Sequence, residues 1–427
     1  MIDVKFQPPK GTRDLISDDA VKMMMIIETV RCAFEKYGFQ PLFTPAFENF
    51  ELLATKGGLG EDVKDEIYYF KDKSERELGL RFDMTMSLAR IAANNPQLPK
   101  PYKRYVIDKV WRYDNPQAMR WREFWQADID VVGTKSLLAD VECLAAACEC
   151  LTALGFKNFY IRINSRKLMQ SIFDKFLGKE KTLDAFRIVD KMDKIGLEGV
   201  KSELDNKSIP SEKILQIIKI SGSNKAILEK LKKFGGEGLA ELEELYRYAK
   251  MFGIEKNLKI DLSLVRGLEY YTGPVFEVYL GSAVGCGGGG RYDNLIEAVG
   301  GIQLPATGIS LGLDRIFEVM KEKEMYVEKT KASVFVANAG DVVRDVVKIV
   351  CELRNSGVIC QMDLMSRNLA KQFDYADKNG FDYVVVVGKE EVKKKKFKLK
   401  DMKKRTEKTL TMRQILQPLT SNECRKR

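Results

Sequence analysis

The 427-residue chain contains no histidine. Without an imidazole, Ser/His and Cys/His nucleophile pairs are impossible, and a zinc site would have to be built from thiolates and carboxylates. The 8 cysteines, at positions 32, 143, 148, 150, 286, 351, 360 and 424, include no C-x-x-C pair. That scatter suits reduced thiols better than a disulfide framework, and no metal centre is expected. No apolar run approaches the roughly 20 residues of a membrane span. The opening residues 1–9 lack the apolar core of a signal peptide, so a soluble, cytoplasmic protein is expected, with no membrane partner. Any charged chemistry falls to Arg, Lys, Asp, Glu and Tyr.

What is present supports two or three domains, since 45% of the residues are hydrophobic and can build cores. The formal net charge of +10 is unevenly placed. From Lys389 to Arg427 there are 15 Lys or Arg against 5 Asp or Glu, which accounts for the whole surplus. Its centre is the run Lys393, Lys394, Lys395 and Lys396. A charge run is often only a solvated edge, but nucleic acid is the commonest partner for such a patch.

Along the chain, an opening helix over about Asp18 to Tyr37 leads into an extended segment through Pro45, whose prolines forbid helix. Strand-like runs follow at Glu66–Phe70, Leu78–Phe82 and Lys103–Tyr113, and a turn near Asn115 leads to a partner strand, Arg122–Val132. From about Leu168 to Phe252 the pattern is one of successive amphipathic helices without strand signals, as in Glu237–Met251, so a helical insertion is expected there. The charged segment Lys321–Lys331 reads as a linker. Beyond it strands and helices alternate (Ser333–Ala337, Val342–Asn355, Gly357–Asp363, Asn368–Asn379, Tyr383–Val387), the pattern of a small α/β domain with a parallel sheet.

Two glycine clusters, Gly285–Gly290 and Gly308–Gly312, permit close backbone approach to a ligand, yet neither fits a dinucleotide or Walker A phosphate loop. Between the helical region and these clusters, the segment Leu264–Val278 places Arg266 and the phenols of Tyr270 and Tyr271 among apolar residues. A buried guanidinium needs a partner, which is either a structural carboxylate such as Glu269 or Glu277 or an anionic ligand.

Three arginine-bearing segments recur in order: Arg112 with the loop to Phe124, the Arg266 segment, and Gly308–Arg315. With Pro45 in its extended segment they resemble the motifs of class II aminoacyl-tRNA synthetases. Within that class, residues 264–273 and Gly289–Asp293 are similar to segments peculiar to the histidyl-tRNA synthetases, as is Lys10–Asp14 near the start. The resemblance spans nearly the whole chain. It implies an α+β fold, a class II synthetase antiparallel sheet flanked by helices, with a helical insertion and a C-terminal α/β anticodon-binding domain. The expected divisions are 1–167 and 259–325 for the two parts of the catalytic domain, 168–258 for the insertion and 326–427 for the anticodon-binding domain.

The resemblance further implies activation of L-histidine with ATP and Mg2+, transfer to tRNA(His), and a homodimer joined through the first motif. Catalytic roles fall to Arg112 and Arg266. Arg112, Asp114, Arg120, Arg122, Phe124 and Arg315 match ATP-binding positions, with adenine between Phe124 and Arg315. Asp83, Thr85, Gln126, Asp130, Arg266, Tyr270 and Tyr271 match the histidine site, where Asp130 and Tyr271 would meet the two ring nitrogens. Arg367 and the Lys393–Lys396 run would bind tRNA. Aspartates stand at 83 and 130 where some relatives have glutamate, a change in reach rather than in role. Two other readings remain: a synthetase-like regulatory subunit that senses histidine without charging tRNA, and a nucleic-acid-binding protein without catalysis. Histidine-stimulated ATP–pyrophosphate exchange separates them.

Overall fold

The computed structural model describes residues 6–55, 67–113, 115, 119–265, 270–281, 284–325 and 334–420. Two compact units emerge, Met1–Asp14 with Met23–Met325, and Leu15–Lys22 with Tyr326–Arg427.

The larger unit carries strands β1 (Gln40–Pro41), β2 (Phe47–Asn49), β3 (Tyr69–Lys71), β4 (Glu77–Leu80), β5 (Tyr102–Trp111), β6 (Glu123–Val132), β7 (Phe159–Ser165), β8 (Leu258–Ile260), β9 (Pro274–Leu280), β10 (Val284–Arg291) and β11 (Ala306–Gly312). Among the described residues, eight of them form one sheet in the order β1-β5-β6-β11-β10-β9-β7-β8, antiparallel except at its two ends. A smaller sheet, β2-β4-β3, stands apart. The expected hairpin is formed by β5 and β6, which pair from Tyr102↔Val132 to Trp111↔Glu123. Its alternation is what a two-sided sheet demands: on β6, Ala127, Ile129 and Val131 are buried, while Gln126, Asp128 and Asp130 occupy the intervening positions. Helix Leu137–Ala153 has apolar residues on nearly every side and packs against β6 and β11.

Strand β10 departs from sequence expectation, because five of its eight residues are glycine, a residue that ordinarily weakens strands. The reason lies in how closely its neighbours approach. A Cβ on Gly287 would overlap the Ser310 carbonyl oxygen, and one on Gly289 the Gly308 carbonyl oxygen. Between β7 and β8 the described chain is helical, from Arg166–Leu177 to Glu237–Met251, with no strand.

The smaller unit carries β12 (Val334–Ala339), β13 (Cys360–Met362), β14 (Tyr383–Gly388), β15 (Phe397–Asp401) and β16 (Thr406–Leu410), in the order β13-β12-β14-β15-β16. Helices Val343–Asn355 and Leu369–Lys378 connect the parallel part. Only β13, β12 and β14 run parallel; β15 and β16 add an antiparallel hairpin. The expectation of a parallel sheet is therefore corrected to a mixed one. The lysine-rich segment hid a strand, since Phe397 and Leu399 alternate with lysines and are its only buried anchors.

Candidate active site

An open cavity of about 320 Å³ lies in the larger unit over one face of the large sheet, lined by residues of β6, β9, β10 and β11, by Asp83 and Thr85, by Arg112, Arg120 and Arg315, and by Tyr270, Tyr271 and Tyr292. That size suits a small-molecule site. Strand period two supplies its floor, because Phe124, Gln126, Asp128 and Asp130 all face the cavity. Opposite them on β11, Asp128 pairs in register with Ser310, and Asp130 with Gly308.

The cavity is rich in carboxylates. Asp83 precedes helix Thr85–Asn94, and its Oδ1 accepts the backbone N–H of Thr85 at 3.1 Å and of Met86 at 3.2 Å. The structural ion pairs that might have claimed it go elsewhere: Arg81 pairs with Asp108 at 2.6 Å and Arg90 with Glu48 at 2.7 Å. Burial nevertheless pushes the Asp83 carboxyl up to about 6, against the opposing pull of those N–H groups and Arg112. Asp130 is likewise pushed up to about 6 by burial, opposed first by Arg104. Its Oδ2 lies 2.5 Å from Arg104 Nη2, and its Oδ1 accepts the Tyr292 hydroxyl. Asp128, between them, is also raised by burial. Gln126 Nε2 donates to Ser310 Oγ at 2.6 Å and to Asp128 Oδ1 at 3.1 Å, which leaves its buried Oε1 without a hydrogen-bond partner. A site with three buried carboxylates and an unsatisfied amide oxygen is built to receive N–H donors or a cation.

Beside these carboxylates Tyr270 and Tyr271 pack with ring centroids 4.5 Å apart, and Tyr292 meets Tyr270 edge to face at 6.0 Å. The three phenols form an aromatic wall. Gly290 permits it, since a Cβ there would come within 2.8 Å of the Tyr271 ring.

The same cavity carries cations. Arg112, just past β5, donates Nε to the Phe82 carbonyl at 3.1 Å and lies 5.3 Å over the Phe124 ring. Arg315, on helix Leu313–Glu322, donates to the Gly285 carbonyl. Its pKa is lowered, first by burial and then by the nearby cations Arg120 and Arg112. Three cations lining one cavity mark a place for an anion. The N-terminal segment buttresses Arg315: Arg13 Nη2 meets Asp314 Oδ1 at 2.6 Å, while Asp314 Oδ2 accepts the Trp125 N–H at 2.6 Å. This gives the Lys10–Asp14 segment a physical task.

Of the residues expected at the site, Asp83, Thr85, Arg112, Arg120, Phe124, Gln126, Asp130, Tyr270, Tyr271 and Arg315 line this one cavity. Arg122 does not line it; its guanidinium stacks on Tyr113 at 4.5 Å. Asp114, Arg266 and Glu269 lie outside the described residues. Glu277, one of the carboxylates considered for Arg266, pairs with Arg162 at 2.5 Å and also reaches the cavity. Sequence reasoning missed Arg104, Asp128, Tyr292 and Ser310. The signal was available for Asp128, since Gln126, Asp128 and Asp130 repeat with strand period among apolar neighbours; Arg104 had no comparable signal. In the smaller unit, Arg367 pairs with Asp363 at 3.2 Å and stacks on Tyr375 at 4.4 Å, while Lys393 to Lys396 are exposed.

Among the described residues no three His, Cys, Asp or Glu side chains gather as a metal-binding group, and no helix is long and apolar enough to cross a membrane.

Comparison with known proteins matches this architecture. The family model for histidyl-tRNA synthetase matches residues 11–316, and that for an anticodon binding domain matches residues 331–422. A histidine–tRNA ligase of Thermococcus kodakarensis is 38% identical, the alignment covering 94% of this chain and 95% of the relative. One from Clostridium tetani is 36% identical, covering 95% and 96%. The crystal structure of histidyl-tRNA synthetase from Nostoc sp. PCC 7120 superposes with a TM-score of 0.84 at 32% identity, covering 97% of this chain and 99% of the other. With a carboxylate and phenol pocket beside a cluster of arginines on an antiparallel sheet, and with matches over both units, the chain belongs to the histidyl-tRNA synthetase family.

Proposed function

We propose that the cavity condenses L-histidine with ATP to histidyl-adenylate and transfers the histidyl group to the 3′ end of tRNA(His). The observation that carries this reading is the lining of the cavity, which brings buried carboxylates and phenols together with Arg112, Arg120 and Arg315. In the first step a histidine carboxylate oxygen attacks the α-phosphorus and pyrophosphate leaves. Two anions must meet, so fixed cations that tighten on the growing negative charge are the main requirement. Arg112 holds the carboxylate and α-phosphate, and Arg266 serves the same centre. Arg120 takes the outer phosphates, and adenine lies between Phe124 and Arg315, with Asp114 reading its amino edge.

For the amino acid, Asp83, Thr85 and the unsatisfied Gln126 Oε1 receive the ammonium group. Asp130 and Tyr271 address the two imidazole nitrogens, with Tyr270 as wall. A site that bonds both nitrogens rejects side chains lacking either. Magnesium bound with the nucleotide would supply neutralising charge for the departing pyrophosphate. Glu277, which reaches the cavity, is a carboxylate able to hold it together with the phosphates, and a dedicated protein cage is unnecessary. In the second step the terminal ribose hydroxyl attacks the adenylate carbonyl and AMP departs. The protein has no histidine to take the proton, so a phosphate oxygen of the adenylate or solvent accepts it.

The smaller unit reads the anticodon, with Arg367 and Lys393 to Lys396 on phosphates and bases. The large unit pairs as a homodimer through the segment around Pro45, where Phe43 is 87% exposed and Phe47, Tyr69 and Phe70 add an apolar surface. Such a protein works in the cytoplasm.

ATP–pyrophosphate exchange stimulated by histidine, together with charging of tRNA(His), tests the whole reading. Exchange without charging would instead mark a tRNA-incompetent paralogue, and binding of histidine without exchange a sensing subunit. Arg266→Ala should lower exchange on the order of 10²-fold or more, and intact exchange in that variant would remove Arg266 from the reaction centre.

A further inference from the structure

Beside Asp130, on the neighbouring strand, lies a charge that the proposed function does not use. Arg104, on β5, is fully buried, and none of its guanidinium nitrogens makes an aligned hydrogen bond. Its Nη2 is 2.5 Å from Asp130 Oδ2, directly across the β5–β6 register. The side chain does not line the cavity. A buried guanidinium with one ion pair among the described residues, and a further electrostatic pull on Asp128, is costly to maintain and contributes little to stability over a well-packed apolar pair. Asp130 itself does line the cavity, and room for its carboxylate is reserved on the other side: a Cβ on Gly308 would overlap Asp130 Oδ1.

Resting on the histidine-activating reading, we propose that Arg104 is a positioning residue for substrate selection, which keeps Asp130 ionised and aimed so that it accepts an N–H of the imidazole ring. The groups facing Asp130 show why a dedicated cation is needed. Arg104 comes from β5, Asp128 from β6, Tyr292 from the end of β10, Asp83 from the start of helix Thr85–Asn94, and Cys143 from helix Leu137–Ala153. Of these, Asp128 and Asp83 repel a charge on Asp130, Cys143 is a thiol pushed well up by burial, and Tyr292 donates one hydrogen bond. Arg104 is the cation among them. Without it, burial and the two aspartates push Asp130 further toward its protonated form, and a protonated carboxyl offers the ring a competing donor.

The test is steady-state exchange by Arg104→Met and Arg104→Lys between pH 6 and 9. The substrates are histidine and triazolylalanine, whose ring does not titrate in that range. For the methionine variant, KM for either amino acid should rise on the order of 100-fold at pH 7, with kcat and the ATP KM little changed. The excess should shrink as pH rises and Asp130 ionises. The lysine variant, which keeps the charge at shorter reach, should show a smaller rise with its KM curve displaced to higher pH. A KM unchanged in the methionine variant, an equal loss toward ATP, or a loss independent of pH would make Arg104 structural and overturn the proposal. Should the methionine variant not fold, the lysine curve decides alone, a raised but undisplaced curve counting against the idea. Wild-type protein without histidine-stimulated exchange would sink the reading of the site itself, which is a separate outcome.

Discussion

Asp83 combines two opposed influences. Backbone N–H groups at a helix start favour its anion, yet burial wins and raises its pKa to about 6. A carboxyl raised above its unfolded value of about 3.9 adds stability below that value and loses it as pH climbs through the folded value. The empty site is therefore strained at neutral pH, by up to about 3 kcal/mol for a two-unit shift. An incoming ammonium relieves that strain by pairing with the anion, so part of the affinity is stored in the unliganded protein. Asp83→Asn removes the charge but keeps an acceptor for the two N–H groups. It should unfold at a higher temperature than wild type above pH 7 while its histidine KM rises on the order of 10²-fold, the usual trade between a stable site and a working one. Calorimetry and exchange kinetics on one preparation check both halves, and a variant less stable than wild type at pH 8 would show that Asp83 is held for the fold.

At the scale of elements, strands β10 and β11 set the depth of the cavity. Their glycines carry no side chains between backbones that approach too closely for a Cβ, and Gly308 in particular leaves space for the Asp130 carboxylate. Gly308→Ala should cost about 1–3 kcal/mol of stability through overpacking. It should also raise the histidine KM tenfold or more, with the ATP KM little affected, since the collision is at the amino-acid site. Equal losses toward both substrates would mean that the sheet, rather than Asp130, gives way. This region also marks where sequence reading reached its limit. The β5–β6 hairpin was legible because its alternation is strong, and the expected Lys103–Tyr113 and Arg122–Val132 became Tyr102–Trp111 and Glu123–Val132. Strand β10 was not, because strand propensity argues against five glycines, and the close neighbouring backbone that explains Gly287, Gly289 and Gly290 is visible only in the fold. The site followed the same rule. Residues that repeat with strand period or match a motif were found, whereas Arg104 acts from behind another residue and is visible only once β5 and β6 are in register.

For the whole molecule, the formal charge of the chain is concentrated in its last 39 residues, while the remainder balances. Part of that surplus has a structural use, since a lysine on the edge strand β16, Lys408, discourages pairing with other chains. An edge role requires only that charge be present on the strands. It makes no demand on Lys393 to Lys396, which precede β15, are exposed, and include one residue, Lys395, in the left-handed conformation that turns the chain toward the strand. A phosphate-binding role does make a demand, because each phosphate neutralised releases counterions and steepens the salt dependence of binding. Replacing Lys393, Lys394, Lys395 and Lys396 together with alanine should therefore raise the KM for tRNA at least tenfold at 150 mM salt, a condition near the roughly 0.15 M of physiological screening. It should also lower the slope of log affinity against log salt by about 2 to 3. Histidine-stimulated ATP–pyrophosphate exchange, which involves no tRNA, should stay at the wild-type rate. An unchanged salt slope with intact charging would leave these lysines the solubilising role alone, and the search for the tRNA contact would move to Arg367 and its stacking partner Tyr375.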